Sequence, residues 1–162
     1  MIVVSNSSPI TNLAAIGQLE LLRQLYQQVI SPEAVFQKLT AESGHHPGAI
    51  VRQLDWVQTR TVSNRTVVTA LQVEVDAGEA EAIALAQELA AGLLLIDERL
   101  GRIVAARLGI RVIGLLGVLI EAKNVGLIRE IKPLVDALMN RGFRIGNDLY
   151  ERVLQAAGEQ KS

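Results

Sequence analysis

The sequence contains no cysteine. A disulfide framework and a thiolate metal site are therefore excluded, and packing alone must hold the fold. Aromatic residues make up only 3% of the chain against 49% hydrophobic residues overall, so the core has to be built from Leu, Ile, Val and Ala. Long apolar runs are missing too. The longest, LAAGLLLI and VIGLLGVLI, fall well short of the roughly 18 residues that cross a bilayer. No basic stretch leading into a small-residue cleavage pattern opens the chain, which makes the cytoplasm the expected location. Excess positive charge is absent as well. A net charge of −1 removes the broad basic footprint of a tight, nonspecific nucleic-acid binder and leaves room for a local patch only.

What is present is aliphatic and alternating. The 162 residues suit one domain spanning 1–162, long enough to bury a core. A mean hydropathy of +0.28 is high for a chain without a membrane span. It suits a sheet covered on both faces, with a homodimer interface as a further sink for apolar surface. IVVS, QVIS, WVQTRTV, LLLI and RVI read as short strands. Ser8-Pro9 and Ser31-Pro32 read as helix starts, each a hydroxyl N-cap followed by Pro at the first helical position. ITNLAAIG and QLELLRQLY read as helical and broken at Gly17, with PEAVFQKL and DAGEAEAIALAQELAAG as later helices. ERLGRIVAARLG follows LLLI as another helix, and GLLGVLIEAKNVGLI, IKPLVDALMNRGF and NDLYERVLQAAG close the chain as helices. Ala41 to Ala49, with Gly44, His45, His46 and Pro47, reads as a loop or a helix break. Strands alternating with helices, with apolar runs among the strands, predict an α/β fold: a central parallel sheet with helices on both faces.

In such sheets, ligands sit beyond the carboxyl ends of the strands. Asn6 and its neighbouring serines follow the first strand there, and Asp97 and Glu98 follow LLLI. Glu79 and Glu81 open the helix that feeds LLLI. At about 100° per residue, Glu79 shares a stripe with Ile83, Ala86 and Ala90, whereas Glu81 shares a face with Glu88 and is expected to point to water. Each residue also has a structural role open to it. Asp76 and Glu79 fit a capping box. Asp97 precedes a helix and suits its N-cap. Asn6 suits a turn that bonds its own backbone. His45 and His46 read as solvated loop, Trp56 as a core or edge anchor, and Arg99, Arg102 and Arg107 as a solvated helix face whose first two members lie close to the acids.

Together these stretches carry a family resemblance. VSNSSPITNLAAIGQLELL, GEAEAIALA, LLLIDERLGRIVAARLGIRVIGLLGVLIEAKNVGLI and FRIGNDLYERVL resemble PIN domains, most of all a divergent PIN-like branch of small prokaryotic predicted nucleic-acid-binding proteins. The resemblance covers nearly the whole chain and is weakest from Ala41 to Val75. It implies a three-layer α/β/α sandwich around a parallel sheet. It also implies a Mg2+- or Mn2+-dependent ribonuclease, RNA as the partner and, for VapC-type toxins, a small antitoxin protein. The catalytic and metal-binding positions carried over by the resemblance are Asn6, Glu79 and Asp97, with Glu81 and Glu98 as register alternatives. Ser8, Lys38, Arg99 and Arg102 are the implied nucleic-acid contacts.

The family chemistry explains the acids. Phosphodiester hydrolysis needs an activated water and stabilised charge, which hard divalent cations held by oxygen ligands supply. This sequence departs from that pattern at two places. Asn6 stands where the family has Asp, and Lys38 stands where an acid is expected; neither Glu33 nor Glu42 takes the matching position. Lys38 is expected to pair with Glu79 or Asp97. Two readings follow: a metal-dependent ribonuclease with a partly degenerate site, or a catalytically inactive PIN-like module that binds RNA or a protein partner. A phospho-acceptor receiver domain shares the sheet and an acidic pocket, but VSNSSP lacks the acid pair it needs after the first strand.

Overall fold

The computed structural model describes residues 1–41 and 47–159. In chain order the elements are β1 (Val3–Ser5), α1 (Ser7–Ala15), α2 (Glu20–Tyr26), β2 (Val29–Pro32), α3 (Glu33–Thr40), a 3-10 helix (Pro47–Gln53), β3 (Val57–Arg60), α4 (Arg65–Leu71), α5 (Ala77–Glu88), β4 (Leu93–Leu95), α6 (Arg99–Arg107), β5 (Val112–Ile113), α7 (Leu115–Asn124), α8 (Lys132–Asn140) and α9 (Asn147–Ala156). The strands form one five-stranded sheet in the order β3-β2-β1-β4-β5, and every pairing is parallel.

The inner strands β1, β2 and β4 are buried along their whole length because both faces of the sheet are covered there, whereas edge strand β3 buries only Val57. Side-chain alternation divides each strand between two cores. Val3, Val29, Val57, Leu93 and Leu95 pack with residues of α1, α2, α3, α7, α8 and α9. Val4, Ile30, Leu94 and Ile96 pack with residues of α4, α5 and α6. This is the expected three-layer α/β/α sandwich. Trp56 is buried in the first core. The strand order also removes the receiver-domain reading. Receiver sheets run 2-1-3-4-5, whereas here β1 is central, between β2 and β4.

Helix starts differ from the sequence reading. Asn6, not Ser8, is the N-cap residue of α1, and Pro9 lies inside the first turn, where its missing N–H leaves no intrahelical bond unmade. Ser31 and Pro32 stay in β2 because the ladder with β3 runs on through Ser31↔Thr59 and Pro32↔Arg60. The buried Ser31 hydroxyl has no hydrogen-bond partner among the described residues. Helix α4 has no counterpart in the sequence reading. The stretch read as a loop contains the start of the 3-10 helix at Pro47. Glu42, His45 and His46 lie outside the described residues.

Glu81 is a larger departure. Expected to face water, it is 8% exposed. Every residue from Glu79 to Ala86 is buried, since α5 packs on β1, β2 and β4 and is flanked by α3, α4 and α6. A helix with alanines around its circumference lets neighbours close in around its middle, so only its ends, at Ala77, Gln87 and Glu88, are exposed. The Glu81 carboxylate accepts from the Ala34 amide at 3.1 Å and from Arg65 Nη1 at 3.0 Å. It therefore ties the amino ends of α3 and α4 together. Glu88, the last residue of α5, accepts from the amides of Ser63 and Asn64 ahead of α4.

Glu81→Ala strands the Ala34 amide and lowers stability by about 1–3 kcal/mol. Arg65→Ala removes a side chain that is 56% exposed and costs less than about 1 kcal/mol. Urea unfolding of the two variants reads the difference. Equal losses would show that the ion pair, rather than the helix-end bond, carries the role of Glu81.

Candidate functional site at the carboxyl rim of the sheet

The strand order reverses between β1 and β4. Chain segments leaving these neighbours diverge, which opens a crevice beyond their carboxyl ends. The register Ser5↔Leu95 and the bond from the Asn6 amide to the Leu95 carbonyl at 2.9 Å set Asn6 beside the end of β4. Asn6 is 4% exposed. Its side chain makes no capping bond in α1 and none to its own backbone. Instead Oδ1 faces the start of α5: a Cβ built on Gly78 would lie 3.7 Å from it and 3.6 Å from Asp76 Oδ1.

The start of α5 contributes Glu79. Asp76 caps that helix, its Oδ1 accepting from the Glu79 amide at 2.8 Å. This is one half of the expected capping box. No bond from the Asp76 amide to the Glu79 carboxyl completes it among the described residues; the Glu79 carboxyl interacts with the Asp76 side chain, and its Oε2 lies against α6, 3.2 Å from where a Cβ on Gly101 would stand. Burial pushes the Glu79 carboxyl up to about 7, helped by the hydrogen bond and charge of Asp76 and the charge of Glu98, and opposed by the charge of Lys38. Lys38 is exposed and forms no ion pair with either acid among the described residues. The expected pairing is replaced by a through-space influence on Glu79.

Asp97 is held on both oxygens. Oδ2 accepts from Ser8 Oγ at 2.9 Å, and Oδ1 accepts from the Leu115 amide at 2.7 Å. Asn12 Nδ2 donates to Ser8 Oγ at 3.0 Å and steadies the arrangement. Asp97 does not cap α6, whose N-cap residue is Glu98 with no side-chain bond. It serves the first turn of α7 instead. Burial raises the Asp97 carboxyl above its ordinary range, while Leu115, Ser8 and Arg102 pull the other way. Arg102 Nη1 and Asp97 Oδ1 both flank Gly114, at 3.1 and 3.2 Å from a Cβ placed there. Arg99 opens α6, exposed, and contacts neither acid.

The rim thus gathers Asn6, Asp76, Glu79 and Glu98 on one side, and Ser8, Asp97 and Arg102 on the other. No hydrogen bond joins Glu79 to Asp97 among the described residues. A hard divalent cation wants several charged oxygens at once. Among the described residues, no three acidic, histidine or cysteine side chains come close enough to hold one. Asn6 brings a neutral oxygen, the Asp97 oxygens are already engaged, and a lysine charge bears on Glu79. The donor set does not fit a carboxylate-caged Mg2+ or Mn2+ centre. Gly101 and Gly114 were missed as site-shaping residues. An isolated glycine inside the helical pattern ERLGRIVAARLG was the available signal for the first.

A raised Glu79 has a consequence for pH. Its ordinary value is 4.5 and its folded value about 7, so between these the folded protein keeps a proton that the unfolded chain releases. This contribution to stability is complete below about pH 4.5 and is lost as pH rises through about 7. Glu79→Gln removes it, flattening the profile across that window by on the order of 2 kcal/mol. Chemical denaturation at successive pH values makes the comparison. Parallel wild-type and variant profiles would put the Glu79 carboxyl in the ordinary range.

No curated protein matches the chain. A family model, DUF3368, described as a PIN domain, matches residues 2–159, from the approach to β1 through the end of α9. PIN domains have nuclease-like functions on nucleic acids and generally use divalent metals. With a parallel sheet in the order β3-β2-β1-β4-β5 between two helical layers and a match of this extent, the chain belongs to the PIN-domain family.

Proposed function

We propose that this chain binds RNA at the rim between β1 and β4, as a PIN-fold protein of metal-dependent ribonuclease type whose acidic site is degenerate. The observation that carries the reading is the state of Asp97 beside Asn6. Both Asp97 oxygens accept hydrogen bonds from the protein itself, and its neighbour at the end of β1 is a neutral amide. Replacing one charged ligand by a neutral one and adding the Lys38 charge near Glu79 weakens cation binding by roughly several kcal/mol. Exposed Lys38, Arg99 and Arg102 offer cations to a phosphate backbone around the same rim. Ser8 is committed to Asp97 and supports the rim.

One observation favours a second reading, an active VapC-type ribonuclease. Burial, Asp76 and Glu98 crowd Glu79 enough to raise it to about 7, and a bound cation would relieve that crowding. A small antitoxin partner, a homodimer and a cytoplasmic setting belong to this second reading. Exposed Leu100, Ile103 and Leu108, on and just after α6, offer apolar surface for such a partner.

Calorimetric titration with Mn2+, paired with binding and cleavage of single-stranded RNA, separates the two. The wild type is expected to retain RNA, cleave it weakly or not at all, and bind Mn2+ no better than in the millimolar range. Asn6→Asp is expected to tighten Mn2+ binding about tenfold or more. Tight Mn2+ binding with efficient cleavage by the wild type would replace the first reading with the second. Failure to retain RNA at all would remove both.

A further inference from the structure

A cleft of about 390 Å3 opens beside Asp97 on the β5 side of the rim. Much of its wall is apolar, with Ile113 from the end of β5 and Phe143 from the segment between α8 and α9. Arg102 and Arg144 also line it. Both are exposed, and neither forms an ion pair among the described residues. The one acid in the lining, Asp97, is already occupied by Ser8 and Leu115. Two arginines against the single carboxylate of Asp97, which interacts electrostatically with Arg102, leave the lining with a net positive charge at its solvent side and an apolar wall behind it. Glycine keeps its floor open. A Cβ on Gly117 would meet Ile113 Cγ1 at 2.7 Å, and one on Gly114 would crowd Arg102 and Asp97.

A cavity of this volume lies in the range that holds a single small ligand. Planar guanidinium forks match phosphate oxygens, and an aromatic side chain offers a surface to a nucleobase. We propose that this cleft is a nucleotide subsite, with the base against Phe143 and Ile113 and the phosphate between Arg102 and Arg144. The proposal rests on the RNA reading above and extends it. A strand crossing the β1/β4 rim places one nucleotide here, on the β5 side of Asp97. Arg102 is among the nucleic-acid contacts that the family resemblance implies; Phe143 and Arg144, at the start of FRIGNDLYERVL, are not.

Anisotropy with a short fluorescein-labelled single-stranded RNA tests the assignment. Arg102→Ala and Arg144→Ala are each expected to weaken binding about tenfold at low salt and to lower the salt slope by about 1. Phe143→Leu, checked by thermal unfolding for an intact fold, is expected to weaken binding without altering that slope. In parallel, amide NMR shifts of Gly117 and Phe143 are followed with adenosine monophosphate and with inorganic phosphate. RNA binding unchanged in all three variants overturns the subsite and leaves the RNA reading standing. Absence of RNA binding, with adenosine monophosphate still shifting those amides, overturns the RNA reading and keeps the cleft as a mononucleotide site. Equal shifts from inorganic phosphate, with Phe143→Leu neutral, reduce the cleft to an anion site and overturn the nucleotide assignment.

Discussion

The amide of Asn6 donates to the carbonyl of Leu95 across the β1–β4 pair at 2.9 Å, and the position of the site follows from that bond and the register behind it. Strands β1 and β4 are only three residues long each, so little ladder holds them in line. The register is enforced by what each side chain would lose if it slipped. Val3 and Leu93 belong to one core and Val4 and Leu94 to the other. A shift of one residue would exchange faces along the whole strand. With two packed helical layers that exchange is forbidden, and Asn6 and Asp97 are delivered to the same crevice as a result.

Acidic side chains do a second structural job throughout the chain. Glu81 bonds the amino end of α3, Glu88 the approach to α4, Asp97 the start of α7, and Glu159 the amides of Ile131 and Lys132 ahead of α8. Each acid lies on a different element from the helix end it serves. A small protein with many short helices and no disulfide has many orphan amides to satisfy. Carboxylates reaching across from neighbouring elements satisfy them and fix inter-element geometry together. This role competes with metal ligation. A carboxylate already accepting from two donors, as Asp97 does, offers fewer free lone pairs and less unbalanced charge to a cation.

The parallel sheet, its helical cover and the rim residues Asn6, Glu79 and Asp97 were legible because they are written locally: apolar runs for doubly covered strands, polar residues immediately after them. Glu81 was misread because periodicity assumes that a wet face runs the length of a helix, and the middle of α5, from Glu79 to Ala86, has none. Ser8 and Ser31 were misread for a related reason. The Ser-Pro signal is local, but the β2–β3 ladder and the Ser8–Asp97 bond are not. The partners of Asp97 were invisible as well, since Leu115 and Ser8 lie 18 and 89 residues away in the chain. Sequence identifies which groups stand at a strand end. It does not say which distant donors have already claimed them.

The two departures at the rim point the same way. A nuclease centre needs enough negative charge to attract a cation and tolerates the repulsion that charge creates when the cation is away. Asn6 keeps the shape of Asp while removing its charge, and Lys38 sets a positive charge against Glu79. Under the proposed RNA-binding function, both changes relax the repulsion of an empty site and make the rim less hostile to a phosphate. Burial and the neighbouring acids leave Glu79 raised to about 7. In the charged form it repels an approaching backbone; in the neutral form it donates a hydrogen bond. On this reading, the substitutions that loosen the hold on metal are also those that suit the rim to holding RNA without cutting it.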